Sequence, residues 1–188
     1  NHLGFNNKGV QYLKNNLELI QRNQPIGINI GKNSSTAIES AHEDYQYCMK
    51  EIFSLADYIT LNISSPNTSR LRELHSHNYL DKFLLEIKKT HGELTKKHKK
   101  RVPLVLKISP DIKDNDLEVL CKKMLNYEID GVIATNTTID KNLLIDKSFL
   151  KLTDENLQLL LSGNIALLLL LFYMIFKEVR TSLKIDVD

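Results

Sequence analysis

The chain has 188 residues, enough for one substantial core or for part of a larger domain. Its 25 Lys and Arg balance 23 Asp and Glu, and a net charge of +2 gives no footing for a nucleic-acid partner. Cys48 and Cys121 stand far apart without a CxxC spacing, which argues against a disulfide framework and against a zinc site.

The chain opens with a polar, Gly-punctuated stretch, Asn1 to Gly9. Val10, Leu13, Leu17 and Ile20 then recur at helical spacing and predict a helix over 8–22. Pro25 introduces a short strand, Ile26 to Ile30, which stops at Gly31-Lys32-Asn33. A second helix spans 40–56, with Tyr45, Cys48, Ile52 and Leu55 or Ala56 on one face. Asp57 to Thr68 is the most informative stretch. Its first half, Tyr58-Ile59-Thr60-Leu61, reads as a buried strand, and its second half breaks into Asn62, Ser64, Ser65, Pro66, Asn67 and Thr68. Leu80, Phe83, Leu84, Ile87 and Leu94 carry a third helix, and Leu104 to Ile108 is a strand that stops at Ser109-Pro110-Asp111. A fourth helix over 115–126 precedes a strand from Gly131 to Thr135, which ends in Asn136-Thr137-Thr138.

The order is β-α-β-α-β-α-β, with strands that read as apolar on both faces. That pattern fits a parallel sheet covered on both sides, or a barrel. Four strands cannot close a (β/α)8 barrel, which takes about 250 residues, so the chain is read as part of one. Leu157 to Phe176 is nearly continuous Leu, Ile, Phe and Met around Ser162-Gly163-Asn164. Its unbroken part, Ile165 to Phe176, falls short of the roughly 20 residues a bilayer needs. A buried helix is expected there, with a membrane-surface segment as the alternative. Lys184 to Val187 is read as the possible opening of another strand.

The strand ends collect Asn29, then Asn62 with Ser64, Ser65, Asn67 and Thr68, then Lys107, then Thr135, Asn136 and Thr137. Each Asn amide offers donors and an acceptor, so the set suits a flat heterocycle edged with carbonyls and N–H groups. Lys107 is the one fixed charge, suited to negative charge developing on a bound ring. The plainer reading makes these residues turn-formers and helix caps, but four such loops in succession favour a site. Ser65 is the candidate for chemistry. It lies outside any GxSxG elbow and has no adjacent His, so a hydrolase triad is poorly supported; a serine base needs a proton relay and a desolvated substrate. His75 and His77 lack the further ligands a metal site requires, and no GxGxxG or P-loop occurs. The run Lys96 to Arg101 is read as a solvated helix end favoured by the helix dipole.

The segments NHLGFNN, GINIGKN, NISSPNT, VPLVLKISPD and DGVIATNTT, in that order over about residues 1–145, resemble the class 2 dihydroorotate dehydrogenases. Class 1 members carry a cysteine where this chain has Ser65. The resemblance implies an α/β fold, a (β/α)8 TIM barrel of which about four to five βα units are present, with FMN over the strand ends. It implies oxidation of dihydroorotate to orotate in pyrimidine (UMP) biosynthesis, FMN accepting the hydride and a quinone the electrons. Ser65 would be the catalytic base, with Thr68 and Phe5 belonging to the surroundings that relay that proton and seal the site. Asn29, Asn62, Lys107, Thr135 and Gly163 would hold FMN. Asn1, His2, Leu3, Gly4 and Phe5, with Asn62, Asn67, Asn136 and Thr137, would hold the substrate. No metal is implied. The family sits peripherally on the inner (cytoplasmic) membrane through N-terminal helices absent here, and this segment carries no membrane segment of its own.

Departures accompany the likeness. Where the family has GGLSG, this chain has Leu159-Leu160-Leu161-Ser162-Gly163, without the backbone freedom of the first two glycines. The later FMN-phosphate loops are not found, and 146–188 is an apolar segment that matches poorly. Residues 1–188 are read as a single partial FMN-binding barrel domain, the central fragment of the enzyme, inactive in isolation. The alternative is a truncated or diverged non-catalytic copy without a complete FMN site. Another FMN barrel, of the dihydropyrimidine type, is disfavoured by Ser65 and NHLGF.

Overall fold

The structure is a computed structural model and describes residues 7–68, 70–75 and 77–136. The Leu-rich stretch and the strand expected at Lys184 lie outside the described residues, as does Gly163. Eight regular elements alternate: α1 (Val10–Leu19), β1 (Gly27–Ile30), α2 (Ala41–Ile52), β2 (Tyr58–Asn62), α3 (His77–His98), β3 (Leu104–Ile108), α4 (Asp114–Asn126) and β4 (Gly131–Ala134). Short 3-10 turns, Ile38–Ser40 and Leu71–His75, precede α2 and α3. Helix α1 begins later than its apolar spacing suggests because Gly9, at φ 87°, holds the chain outside the helical region. In α2 it is Met49 that takes the core position, while Cys48 sits half-buried at its edge.

All four strands are parallel and lie in the order β1-β2-β3-β4. Parallel strands need crossovers, and right-handed crossovers in unbroken order put every helix on the same side. That is the winding of a barrel arc, not of a doubly wound sheet whose order turns back. The helix-covered face is apolar throughout: Ile28 and Ile30, Ile59 and Leu61, Leu104, Leu106 and Ile108 are all buried. Each is worth about 1.5–3 kcal/mol for the surface it removes from water.

The opposite face corrects the expectation of strands apolar on both sides. Register and side-chain alternation place Asn29, Thr60, Val105 and Gly131 in one layer, and Asn62, Lys107 and Ile133 in the next toward the strand ends. Tyr58 lies one layer below, its ring across Gly27, where an added Cβ would sit 1.9 Å from the ring carbon Cζ. This polar face is the one a closed barrel would turn inward.

Register is pinned at the strand starts by a repeated aspartate. Asp57 exchanges bonds with Ile26, its N–H donating to the Ile26 carbonyl and its carboxylate accepting the Ile26 N–H, both at 2.8 Å. Asp130 does the same to Leu104, at 2.9 and 2.8 Å. The basic run that ends α3 and continues past it is only partly a solvated end. Lys100 donates to the Ala56 carbonyl (2.7 Å), and Arg101 pairs with Asp130.

His75 is buried at the end of its 3-10 turn, and its Nε2 has no hydrogen-bond partner. Burial, helped by the nearby Arg72 charge and opposed by Asp116, lowers its pKa to about 4. An unfolded chain takes up this proton near pH 6.5 and the folded one only near pH 4, so stability falls as pH drops through that window. The loss approaches roughly 3 kcal/mol at its acid limit. Urea unfolding at pH 7 and at pH 4.5 should show this loss, and His75→Leu should flatten it; an equally steep loss in the variant would contradict the assignment.

Candidate active site

The carboxyl ends of β2, β3 and β4 converge on one buried hydrogen-bonded cluster. Asn62, the last residue of β2, is 2% exposed and Ser64 is 0% exposed. The Ser64 backbone N–H (3.2 Å) and hydroxyl (2.7 Å) both donate to Asn62 Oδ1. Asn136, just past β4, donates from Nδ2 to Ser64 Oγ at 3.2 Å. Ser64 thus joins two predicted site residues that lie 74 positions apart in the sequence.

Two further groups hold this loop. The Tyr45 hydroxyl of α2 donates to the Asn62 carbonyl at 2.7 Å, and its ring meets Phe83 of α3 edge-on at 4.9 Å. Burial pushes the Tyr45 phenol well above its ordinary pKa, so it stays a donor. Arg72 donates from Nε to the Ser64 carbonyl (3.1 Å) and pairs with Asp111 at 2.6 Å. This ties the loop after β2 to the loop after β3.

Ser65 is 2% exposed, and its Oγ accepts the Asn67 N–H at 3.2 Å. The same turn recurs after β3, where Ser109 Oγ accepts the Asp111 N–H at 3.1 Å across Pro110. Proline fixes φ in both, so the turn is a device of the Ser-Pro-X sequence. What sets Ser65 apart is its company. Its neighbour Ser64 binds Asn62 and Asn136, and Thr68, three residues on, is also buried.

The remaining predicted residues divide clearly. Asn29 is exposed and Lys107 half-buried on the polar face, with Lys107 beside Asn62 in the strand register. Among the described residues Lys107 has no acidic partner. Thr135 is half-buried, and its hydroxyl donates to the Asn136 carbonyl at 2.9 Å. Asn67 is exposed at the rim. Asn1, His2, Leu3, Gly4, Phe5, Thr137 and Gly163 lie outside the described residues. Sequence reasoning gave Arg72 no role and Tyr45 only a place on a helix face, and it named Ser64 among the strand-end residues without a specific task.

Comparison with known proteins decides the lineage. A family model described as dihydroorotate dehydrogenase matches residues 1–164. The chain belongs to the dihydroorotate dehydrogenase family. Relatives named dihydroorotate dehydrogenase (quinone) from Vibrio vulnificus and Vibrio parahaemolyticus are 48% and 49% identical over 144 residues, covering 77% of this chain. The chain spans 43% of the length of each. The crystal structure of dihydroorotate dehydrogenase from Eimeria tenella in complex with ferulenol matches with a TM-score of 0.68 at 30% identity, over 79% of this chain and 45% of that one. The four βα units are thus part of the dihydroorotate dehydrogenase barrel, as the resemblance implied. No described helix is long and apolar enough to cross a membrane.

Arg72→Ala should destabilise the chain by about 2 kcal/mol, because it removes both the ion pair with the half-buried Asp111 and the bond to the Ser64 carbonyl. Asp111→Asn should cost less, since its amide still accepts from Arg72. Urea midpoints would measure both, and a loss below about 0.5 kcal/mol for Arg72→Ala would contradict the clamp.

Proposed function

We propose that this segment forms part of the flavin and substrate site of an enzyme that oxidises dihydroorotate to orotate, in pyrimidine biosynthesis. FMN, when bound, supplies the acceptor for the substrate hydride, and a quinone takes the electrons onward. The observation that carries the reading is the polar face: neutral amides and one cation without an acidic partner among the described residues, at the ends of parallel strands. An electron-rich ring needs that combination, because amides match its mixed edge and a lone cation balances the charge it gains. FMN therefore fits the donor set. Asn29, Asn62, Lys107 and Thr135 would hold it, with Gly163 a further contact. Asn62, Asn67, Asn136 and Thr137, with Asn1 through Phe5, would orient the substrate.

Ser65 takes the substrate proton. The Asn67 N–H already donates to Ser65 Oγ, so negative charge building there is stabilised as the hydroxyl passes its own proton on. Thr68 and Phe5 belong to that relay and to the walls that keep water out. The relatives' names support the quinone, and the lipid solubility of quinones supports a peripheral seat on the inner membrane.

In a complete barrel containing this segment, Ser65→Ala should remove most of the turnover while FMN stays bound. Steady-state rates across pH, with the flavin absorbance as the loading control, test this. Near-normal rates at every pH would overturn the assignment of the base.

A further inference from the structure

We propose that Ser64 is a positioning residue that sets the donor and acceptor polarity of the Asn62 and Asn136 amides. The site then demands an acceptor atom from its ligand at Asn62. The argument starts from a group that cannot reverse its role. The Ser64 backbone N–H only donates, and it faces Asn62 at 3.2 Å, so the atom facing it is the amide oxygen. The Asn62 amide therefore cannot be flipped, and its Nδ2 points away from Ser64. No described residue accepts from that Nδ2, although Asn62 is 98% buried. That Nδ2 is not among the enclosed atoms left without a partner, so it remains reachable, and a ligand oxygen would accept from it.

Ser64 then passes this polarity across the site. Its hydroxyl has one proton, and Asn62 Oδ1 takes it at 2.7 Å. Only oxygen lone pairs remain toward Asn136, which must present its NH2 and does so at 3.2 Å. The Asn136 Oδ1 is thereby turned away from Ser64. Because Ser64 is fully buried, no bulk water competes for its proton. The Arg72 guanidinium on its carbonyl fixes the backbone from which both bonds are made. A carbonyl or carboxylate oxygen is the ligand group that answers Asn62, and a ring presenting an N–H there is rejected.

Orotate as the probe rests on the function proposed above, but the polarity can be read without it. The full chain would be labelled with 15N, and solvent exchange of the Asn136 side-chain amide followed by NMR alongside an orotate titration. Ser64→Ala should speed that exchange and weaken orotate binding, each by about tenfold, and Ser64→Thr should restore both by returning the hydroxyl. Two isosteric variants keep the test alive if Ser64→Ala does not fold. Asn62→Asp still accepts both Ser64 bonds and should leave Asn136 protected, whereas Asn136→Asp cannot donate and should leave the Ser64 backbone N–H and hydroxyl bound to Asn62. Unchanged Asn136 exchange in Ser64→Ala, or loss of Asn136 protection in Asn62→Asp, overturns the proposal. Wild-type chain that ignores orotate would count against the proposed function in this chain, while the exchange rates still decide the polarity.

Discussion

The parallel register that sets Asn62 beside Lys107 is the constraint on which the site depends. A slip of one residue would send Asn62, Lys107 and Asn29 into the helix-packed layer and bring Leu61 and Leu106 onto the polar face. Two things prevent it. The far face is buried and apolar on β1, β2 and β3, and the paired bonds of Asp57 and Asp130 lock the strand starts. Stability at one end of the sheet and chemistry at the other are thereby separated, as parallel βα units allow.

At the chemical end, precision comes from neutral hydrogen bonds more than from charge. Asn62 is held by its carbonyl from Tyr45 and by its amide oxygen from Ser64. The ion pair of Arg72 with Asp111 sits on the backbone carbonyl of Ser64 and so acts as scaffold. Lys107 is left as the charge available to an electron-rich ring. The amides and hydroxyls that hold Asn62 carry no charge, and burial keeps the Tyr45 phenol a donor by raising its pKa.

Element order was legible in the sequence because apolar spacing is strong in α2, α3 and the strands, and the motif NISSPNT carried the family. The polar face was not. Strands of four or five residues give only two alternations, and Thr60 and Tyr58 read as ordinary strand-formers. Asn29 and Lys107 were named as strand-end residues, yet the shared face that sets Thr60 and Val105 beside Asn29, and Asn62 beside Lys107, appears only with the register. Arg72 was invisible for a related reason: its partner Asp111 is 39 residues away. Ser64 was overshadowed by Ser65, since both are buried turn-formers and only their hydrogen-bond partners separate a residue that holds the site from one that acts in it.

Flavin titration of the purified, folded chain tests the central claim, that these four strands form a ring site around Lys107. FMN fluorescence should quench to saturation, and Lys107→Ala should raise the dissociation constant by at least about tenfold, the scale of one charge-assisted hydrogen bond. A chain that is folded by circular dichroism yet shows no saturable quenching would contradict the account. So would equal affinity in Lys107→Ala.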